Sequence, residues 1–253
     1  METPLLNYFL RILNKLSYKY NFFASVKNLL RSVKYFIFGK SDITQVISEI
    51  KKARNIDNPV KVIFDIGAAV GDKTIIFLKS FPGATVYSFE PQTESLEKLK
   101  ERTVAYKDRI KTFDSGFFNK NDTVVLNINP YRKDSSSILP LQKWMNQNIR
   151  ENEKMTIQVI KIDDFIKKQK IEHIDFIKID VEGVEKEVLE GGKETFQDKI
   201  DNVFIEISPF LKGLNSKDFS DIFHFFYETG FTFLGCSGDY FFSKDKDLLK
   251  KYF

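Results

Sequence analysis

The sequence predicts an α/β fold, a mostly parallel sheet with helices on both faces. Three observations predict it. Apolar runs of strand length alternate with amphipathic stretches of helix length from about residue 60 onward. The first of them, VKVIFDI (60–66), is continuously apolar, as in a strand covered on both faces. The last two, FTFLG and YFF, flank Ser237-Gly238 as a short hairpin, so the final strand should run antiparallel to the rest.

In chain order, Leu6, Phe9, Leu13 and Leu16, then Val26, Leu29, Leu30 and Val33, recur at helical spacing and predict two amphipathic helices before residue 40. A third is expected from Ser41, a good N-cap, to about Arg54. After VKVIFDI a helix runs from about Gly71 to Ser80, followed by the strand ATVYSFE (84–90) and the helix ESLEKLKER. RIKTFDS (109–115) reads as a third strand, and TVVLNIN (123–129) alternates and should pair antiparallel. Residues 130–150 read as a loop, with room for a short helix near Trp144. MTIQVIKI (155–162) is a strand, DDFIKKQK a short helix, IDFIKID (174–180) a strand, VEKEVLEGG a helix and IDNVFIEIS (200–208) a strand. A helix near 216–229 precedes the hairpin. This divides the chain into a basic helical extension, 1–55, and a catalytic-type domain, 56–253.

Composition narrows the function classes. At 42% hydrophobic and 29% charged, the chain is globular rather than disordered. Its one cysteine, Cys236, allows neither an internal disulfide nor a cysteine zinc cluster, and His173 and His224 lack metal-ligand spacing. Residues 1–40 hold seven Lys/Arg and one acid, a charge of +6; the whole chain is +4, leaving the body at −2. A nucleic-acid enzyme would carry its basic stripe on the body, so no nucleic-acid partner is expected. With no apolar run of membrane-spanning length and no secretory layout at the start, a cytoplasmic protein is expected. The basic amphipathic start fits either a cap on the domain or peripheral contact with the inner face of a membrane.

Ligands of such sheets sit at the carboxyl ends of the strands. Those ends carry Asp65, Gly67 and Gly71; Glu90; Asp114 and Ser115; Asp180; and Glu206. FDIGAAVGD (64–72) misses the dinucleotide fingerprint, which needs glycines at 67, 69 and 72. Asp65 and Asp72 would repel a pyrophosphate and favour a cationic ligand such as the sulfonium of S-adenosylmethionine. Glu90, 23 residues after Gly67, stands where a carboxylate accepts ribose hydroxyls, and Asp114 lies near an adenine position.

FDIGAAVGD, SFEPQ, SSSIL, VIKIDDFI, IDFIKIDVEGVEKEVLEGG and FIEIS together resemble the FkbM-type family of S-adenosylmethionine-dependent methyltransferases, over roughly residues 60–210. The resemblance implies a class I methyltransferase (Rossmann-like) fold with a seven-stranded sheet, and methyl transfer to oxygen on a small hydroxylated molecule or sugar, such as a surface-polysaccharide or glycolipid precursor. It implies that Asp65, Gly67 and Gly71 line the methionine end of the cofactor, Glu90 holds the ribose, Asp114 and Ser115 flank adenine, and Asp180 lies beside the transferring methyl. Ala69 departs from the Asn that many members carry there.

Strand alternation puts Lys178 and Asp180 on one face, with Glu182 and Gly183 in the following turn. Val184, Val188 and Leu189 anchor the next helix, while Lys186 and Glu187 face water. Asp180 and Lys178 are the catalytic candidates: Lys178 as a base if burial lowers its pKa, or as a charged group orienting Asp180. Asp180 with Glu206 could instead bind a divalent cation, and the same charges could be a purely structural network. Ser135, Ser136, Ser137, Tyr131, Arg132 and Trp144 are candidates for acceptor contact. Competing readings are a nicotinamide-dependent sugar oxidoreductase and a non-catalytic scaffold that retains the fold.

Overall fold

The structure is a computed structural model and describes residues 43–54, 57–128, 136–138, 153–207, 216–236 and 239–251. In chain order these form α1 (Ile43–Ala53), β1 (Val62–Ile66), α2 (Asp72–Ser80), β2 (Thr85–Phe89), α3 (Thr93–Thr103), a 3-10 turn (Val104–Tyr106), β3 (Ile110–Phe113), β4 (Ser115–Phe117), β5 (Asp122–Asn127) and β6 (Lys154–Ile160). There follow α4 (Ile162–Gln169), β7 (Ile174–Ile179), α5 (Glu185–Glu190), α6 (Lys193–Asp198), β8 (Ile200–Glu206), α7 (Ser216–Glu228), β9 (Thr232–Cys236), β10 (Asp239–Ser243) and α8 (Lys246–Leu249). The two helices expected before residue 40 lie outside the described residues.

Seven strands pair in the order β3-β2-β1-β7-β8-β10-β9. The first five are mutually parallel, and β10 runs antiparallel to both its neighbours, as the hairpin predicts. Chain order runs outward from β1 to β3 and then returns to β7 on the other side of β1. The switch point therefore lies between β1 and β7, and a crevice opens at their carboxyl ends.

Strand burial follows from the sequence pattern. Every residue of β7 is buried, including Asp175 and Lys178, because helices cover both faces. On one face Phe165, Val188, Leu189, Phe196, Phe219, Ile222 and Phe226 pack against the sheet; on the other, Val46, Ile47, Ile50, Phe77, Leu78 and Leu248 do. The high phenylalanine content goes largely into this packing. Phe64, Phe89, Phe113, Phe117 and Phe165 form a cluster with ring centroids 4.5–5.9 Å apart, mostly tilted or edge-to-face.

The third predicted strand, 109–115, is in fact two. The chain bends at Asp114, so β3 closes the edge of the main sheet while β4 starts a separate three-stranded sheet, ordered β4-β6-β5. TVVLNIN pairs antiparallel as predicted, with MTIQVIKI, and both belong to this small sheet. Its strands alternate because one face alone is covered, by Leu126, Ile157, Val159 and their neighbours.

Residues 43–54, grouped on sequence with the extension, pack into the domain. Ile43, Val46, Ile47 and Ile50 are buried under the sheet. Arg54, 6% exposed, donates to Asp245 at 2.7 Å and Asp201 at 2.5 Å and pairs with Asp175 at 3.4 Å. It thereby ties α1 to the amino ends of β7 and β8 and to the residues just after β10, on the sheet edge opposite the crevice. Asp175 is fixed in turn by the Lys61 and Val62 amides. His173 joins Asp201 at 2.8 Å, which raises its pKa.

Candidate active site

Asp65 on β1 and Lys178 on β7 are register partners across the switch point. The Lys178 ammonium donates to the Gly67 carbonyl at 2.7 Å and pairs with Asp180 at 3.2 Å and Asp65 at 3.5 Å. Burial alone would lower its pKa, but Asp180 and Asp65 outweigh burial and leave it raised. The raised pKa favours a charged Lys178 that orients Asp180 over a neutral lysine base.

Asp65 is completely inaccessible. It accepts from the Thr74 hydroxyl at 2.6 Å, and Thr74 also contacts Ser88 at 3.1 Å. Burial pushes its carboxyl pKa up against the pull of Lys178 and Thr74. Asp65 thus sits beneath the tip of β1, where it holds Lys178 and the start of α2.

At Gly67 two backbones meet. Its φ is +74°, and a Cβ there would stand 1.8 Å from the Asp180 carbonyl oxygen, so the tips of β1 and β7 can close up at glycine alone. Ala69 follows with φ +46°, unusual for a residue with a side chain, and Gly71 caps α2. The Ala69 amide donates to Glu90 Oε2 at 2.8 Å, and the Gln92 amide to Oε1 at 2.9 Å. Glu90 is buried, and burial raises its pKa despite those two bonds. Each carboxylate oxygen keeps a further lone pair that a ribose hydroxyl could use. Asp114 is exposed at the bend between the sheets, and Ser115 begins β4.

Beyond Asp180 the chain turns at Glu182 (φ +60°) and Gly183 (φ +109°). This brings carboxylate oxygens of Asp180, Glu182 and Glu206 within 4.8 Å of one another. Opposite Glu206 in register is Asp239, which the sequence reading missed. Burial, then Glu206 and Asp180, push its carboxyl up to about 6. The available signal was an acid opening the last strand of a hairpin, but its facing Glu206 depends on cross-strand register. Thr74, Ser88 and Gln92 were also missed, being ordinary helix and strand residues in sequence.

Val184, Val188 and Leu189 anchor α5 as expected. Lys186 and Glu187 do not simply face water. Lys186 bridges to Asp221 at 2.8 Å and Asp218 at 3.4 Å on α7, and partial burial raises the Glu187 pKa. Ser136 and Ser137 are buried, and the Ser137 hydroxyl donates to the Glu182 carbonyl in the 182–183 turn. Ser135, Tyr131, Arg132 and Trp144 lie outside the described residues.

The strand order and the strand-end acids define the class I methyltransferase type of α/β domain. Comparison with known proteins gives the family. A model of the methyltransferase FkbM domain matches residues 65–233, so the chain belongs to the FkbM methyltransferase family and is an S-adenosylmethionine-dependent methyltransferase. It is 28% identical over 167 residues to the 2-O-methyltransferase NoeI of Sinorhizobium fredii, covering 60% of this chain and 68% of that protein. It is 23% identical over 180 residues to the hexuronic acid methyltransferase AglP of Haloferax volcanii, covering 71% and 66%. The chain spans about two thirds of the length of the curated relatives it matches. Among solved structures, a putative rRNA-methylase from Clostridium thermocellum superposes with a TM-score of 0.45 at 11% identity, covering 81% of this chain and 94% of that one. Among the described residues, no helix is long and apolar enough to cross a membrane.

Proposed function

We propose that the protein transfers the methyl group of S-adenosylmethionine to a hydroxyl oxygen of a small hydroxylated acceptor, with a sugar the best class. The observation that carries this is the convergence of Glu90, Lys178 and Asp180 at the switch point. Glu90 receives the ribose hydroxyls, Gly67 and Gly71 let the backbone approach, and Asp114 with Ser115 borders the adenine. A methylsulfonium needs little further activation, so the protein has to align an acceptor oxygen behind the methyl carbon and take up its proton. Asp180, held by the charged Lys178, is placed to accept that proton while its charge faces the sulfonium. The names of two relatives, a 2-O-methyltransferase and a hexuronic acid methyltransferase, support an oxygen acceptor on a sugar. A nicotinamide dinucleotide fits poorly, because Ala69 and Asp72 stand where its fingerprint needs glycines and the Asp72 carboxylate would repel the pyrophosphate.

Incubation with methyl-tritiated S-adenosylmethionine and a panel of methyl glycosides and nucleotide sugars tests this. An ether product, whose label survives mild alkali, is expected. Label released entirely as methanol by alkali, or no transfer to any hydroxylated acceptor, contradicts it.

A second reading rests on the three carboxylates within 4.8 Å of each other. An all-oxygen set suits a divalent cation such as Mg²⁺ or Mn²⁺, which would polarise the acceptor hydroxyl there. Activity that disappears with a chelator and returns with Mn²⁺ supports it; chelator-resistant activity contradicts it. Peripheral membrane contact through residues 1–40 is proposed from their basic amphipathic pattern alone. Undiminished sedimentation with anionic vesicles after deletion of those residues would count against it.

A further inference from the structure

The turn that carries Asp180 and Glu182 into the crevice is held from outside its own strand–helix unit. Glu182 occupies the left-handed region at φ +60°, a conformation that its Cβ disfavours, and Gly183 follows at φ +109°. Within the unit, the Gly183 amide donates to Glu185 Oε1 at 3.0 Å. From outside, the Ser137 hydroxyl donates to the Glu182 carbonyl at 2.5 Å, across 45 residues of sequence.

Ser137 is itself firmly placed. It exchanges two backbone hydrogen bonds with Asn127 at the end of β5, at 2.8 and 3.1 Å. The Asn127 side-chain amide adds bonds to the Ser137 and Ile138 carbonyls at 3.2 and 3.3 Å. Ser137 is 7% exposed. An unbroken path therefore runs from the small sheet through Ser137 to the backbone that aims the Asp180 and Glu182 carboxylates.

We propose that Ser137 is a positioning residue. Its hydroxyl locks the 182–183 turn to the small sheet and so fixes the direction in which Asp180 faces the reacting methylsulfonium. This rests on the reading that Asp180 lies beside the sulfonium.

The consequence is measurable without knowing the acceptor. S-adenosylmethionine and S-adenosylhomocysteine share the adenosine and amino acid parts, but the first alone carries the sulfonium charge. An aligned Asp180 strengthens binding of the first and not of the second, whereas general loosening of the fold weakens both. Calorimetric titration of the full chain with each ligand, for the wild type, Ser137→Ala, Ser137→Thr and Asp180→Asn, reads this out. Ser137→Ala should cut the preference for S-adenosylmethionine about fivefold, as expected for weakening one partly solvated charge pair. S-adenosylhomocysteine affinity should stay within about twofold, and Ser137→Thr, which keeps the hydroxyl, should restore the preference. An unchanged ratio in Ser137→Ala, or equal weakening of both ligands, overturns the proposal while a fall in Asp180→Asn leaves the underlying reading standing. An unchanged ratio in Asp180→Asn overturns that reading and the proposal with it.

Discussion

Asp239 lends itself to a quantitative test. It sits half-buried, opposite Glu206 and close to Asp180, and its carboxyl is pushed from 3.8 up to about 6 by burial first and by those two acids second; Lys73 and Lys178 pull the other way. A folded-state pKa above the unfolded value means that the folded protein holds this proton more tightly. The resulting stability is fully present below pH 3.8 and is lost as pH rises through about 6. A shift of roughly two units corresponds to about 3 kcal/mol, and solvent screening at a half-buried site reduces it to about 1–2 kcal/mol. Asp239→Asn keeps the shape and stays neutral at every pH. At pH 8 the variant should therefore be more stable by about 1–2 kcal/mol, or about 2–4 °C in Tm for each kcal/mol. At pH 4.5, about a third of the way along the window, the advantage should shrink to about a third. Urea unfolding followed by circular dichroism at the two pH values, with chelator present, measures both. An equal advantage at both pH values, or a variant less stable at pH 8, would refute the electrostatic account of this corner.

Three further outcomes follow from the geometry. Gly67→Ala drives a Cβ into the Asp180 carbonyl and should cost more than about 3 kcal/mol in urea unfolding and abolish cofactor binding; near-normal stability would contradict the close approach of β1 and β7. Arg54→Ala leaves Asp175, Asp201 and Asp245 without their shared cation and should cost about 3–5 kcal/mol, whereas a loss below about 1 kcal/mol would show the network to be incidental. Ala69→Asn places a residue tolerant of the left-handed region at φ +46° and should raise stability by about 0.5–1 kcal/mol; a decrease would mean that the side chain is not tolerated there.

Where residues adjacent in the chain decide the structure, the sequence was informative. The run at 60–66 and the alternation at 123–129 distinguish strands covered on two faces from those covered on one, because side-chain periodicity reports burial directly. Lys178 and Asp180 share a face for the same reason, and their pairing follows from strand geometry. The break at Asp114 was hidden because Phe113-Asp114-Ser115 carries no Gly or Pro to mark it. Asp239 and Arg54 were invisible for a different reason. Their partners lie 33 residues away in one case and 121 to 191 in the other, and those contacts depend on register and helix docking. Arg54 was further masked by the basic composition of the segment before it, which drew α1 toward the extension. The depth of Asp65 below the crevice was not legible, because it depends on Thr74 and Lys178 closing over it.

The central claim is that the strand-end acids of this sheet form the S-adenosylmethionine site, with Glu90 on the ribose. Calorimetric titration of the wild type and Glu90→Ala with S-adenosylmethionine, and of the wild type with NAD, tests it most directly. The account predicts wild-type binding of about micromolar strength, a loss of about tenfold or more in Glu90→Ala, and no heat with NAD. Equal affinity in the variant, or NAD binding in place of S-adenosylmethionine, would contradict it.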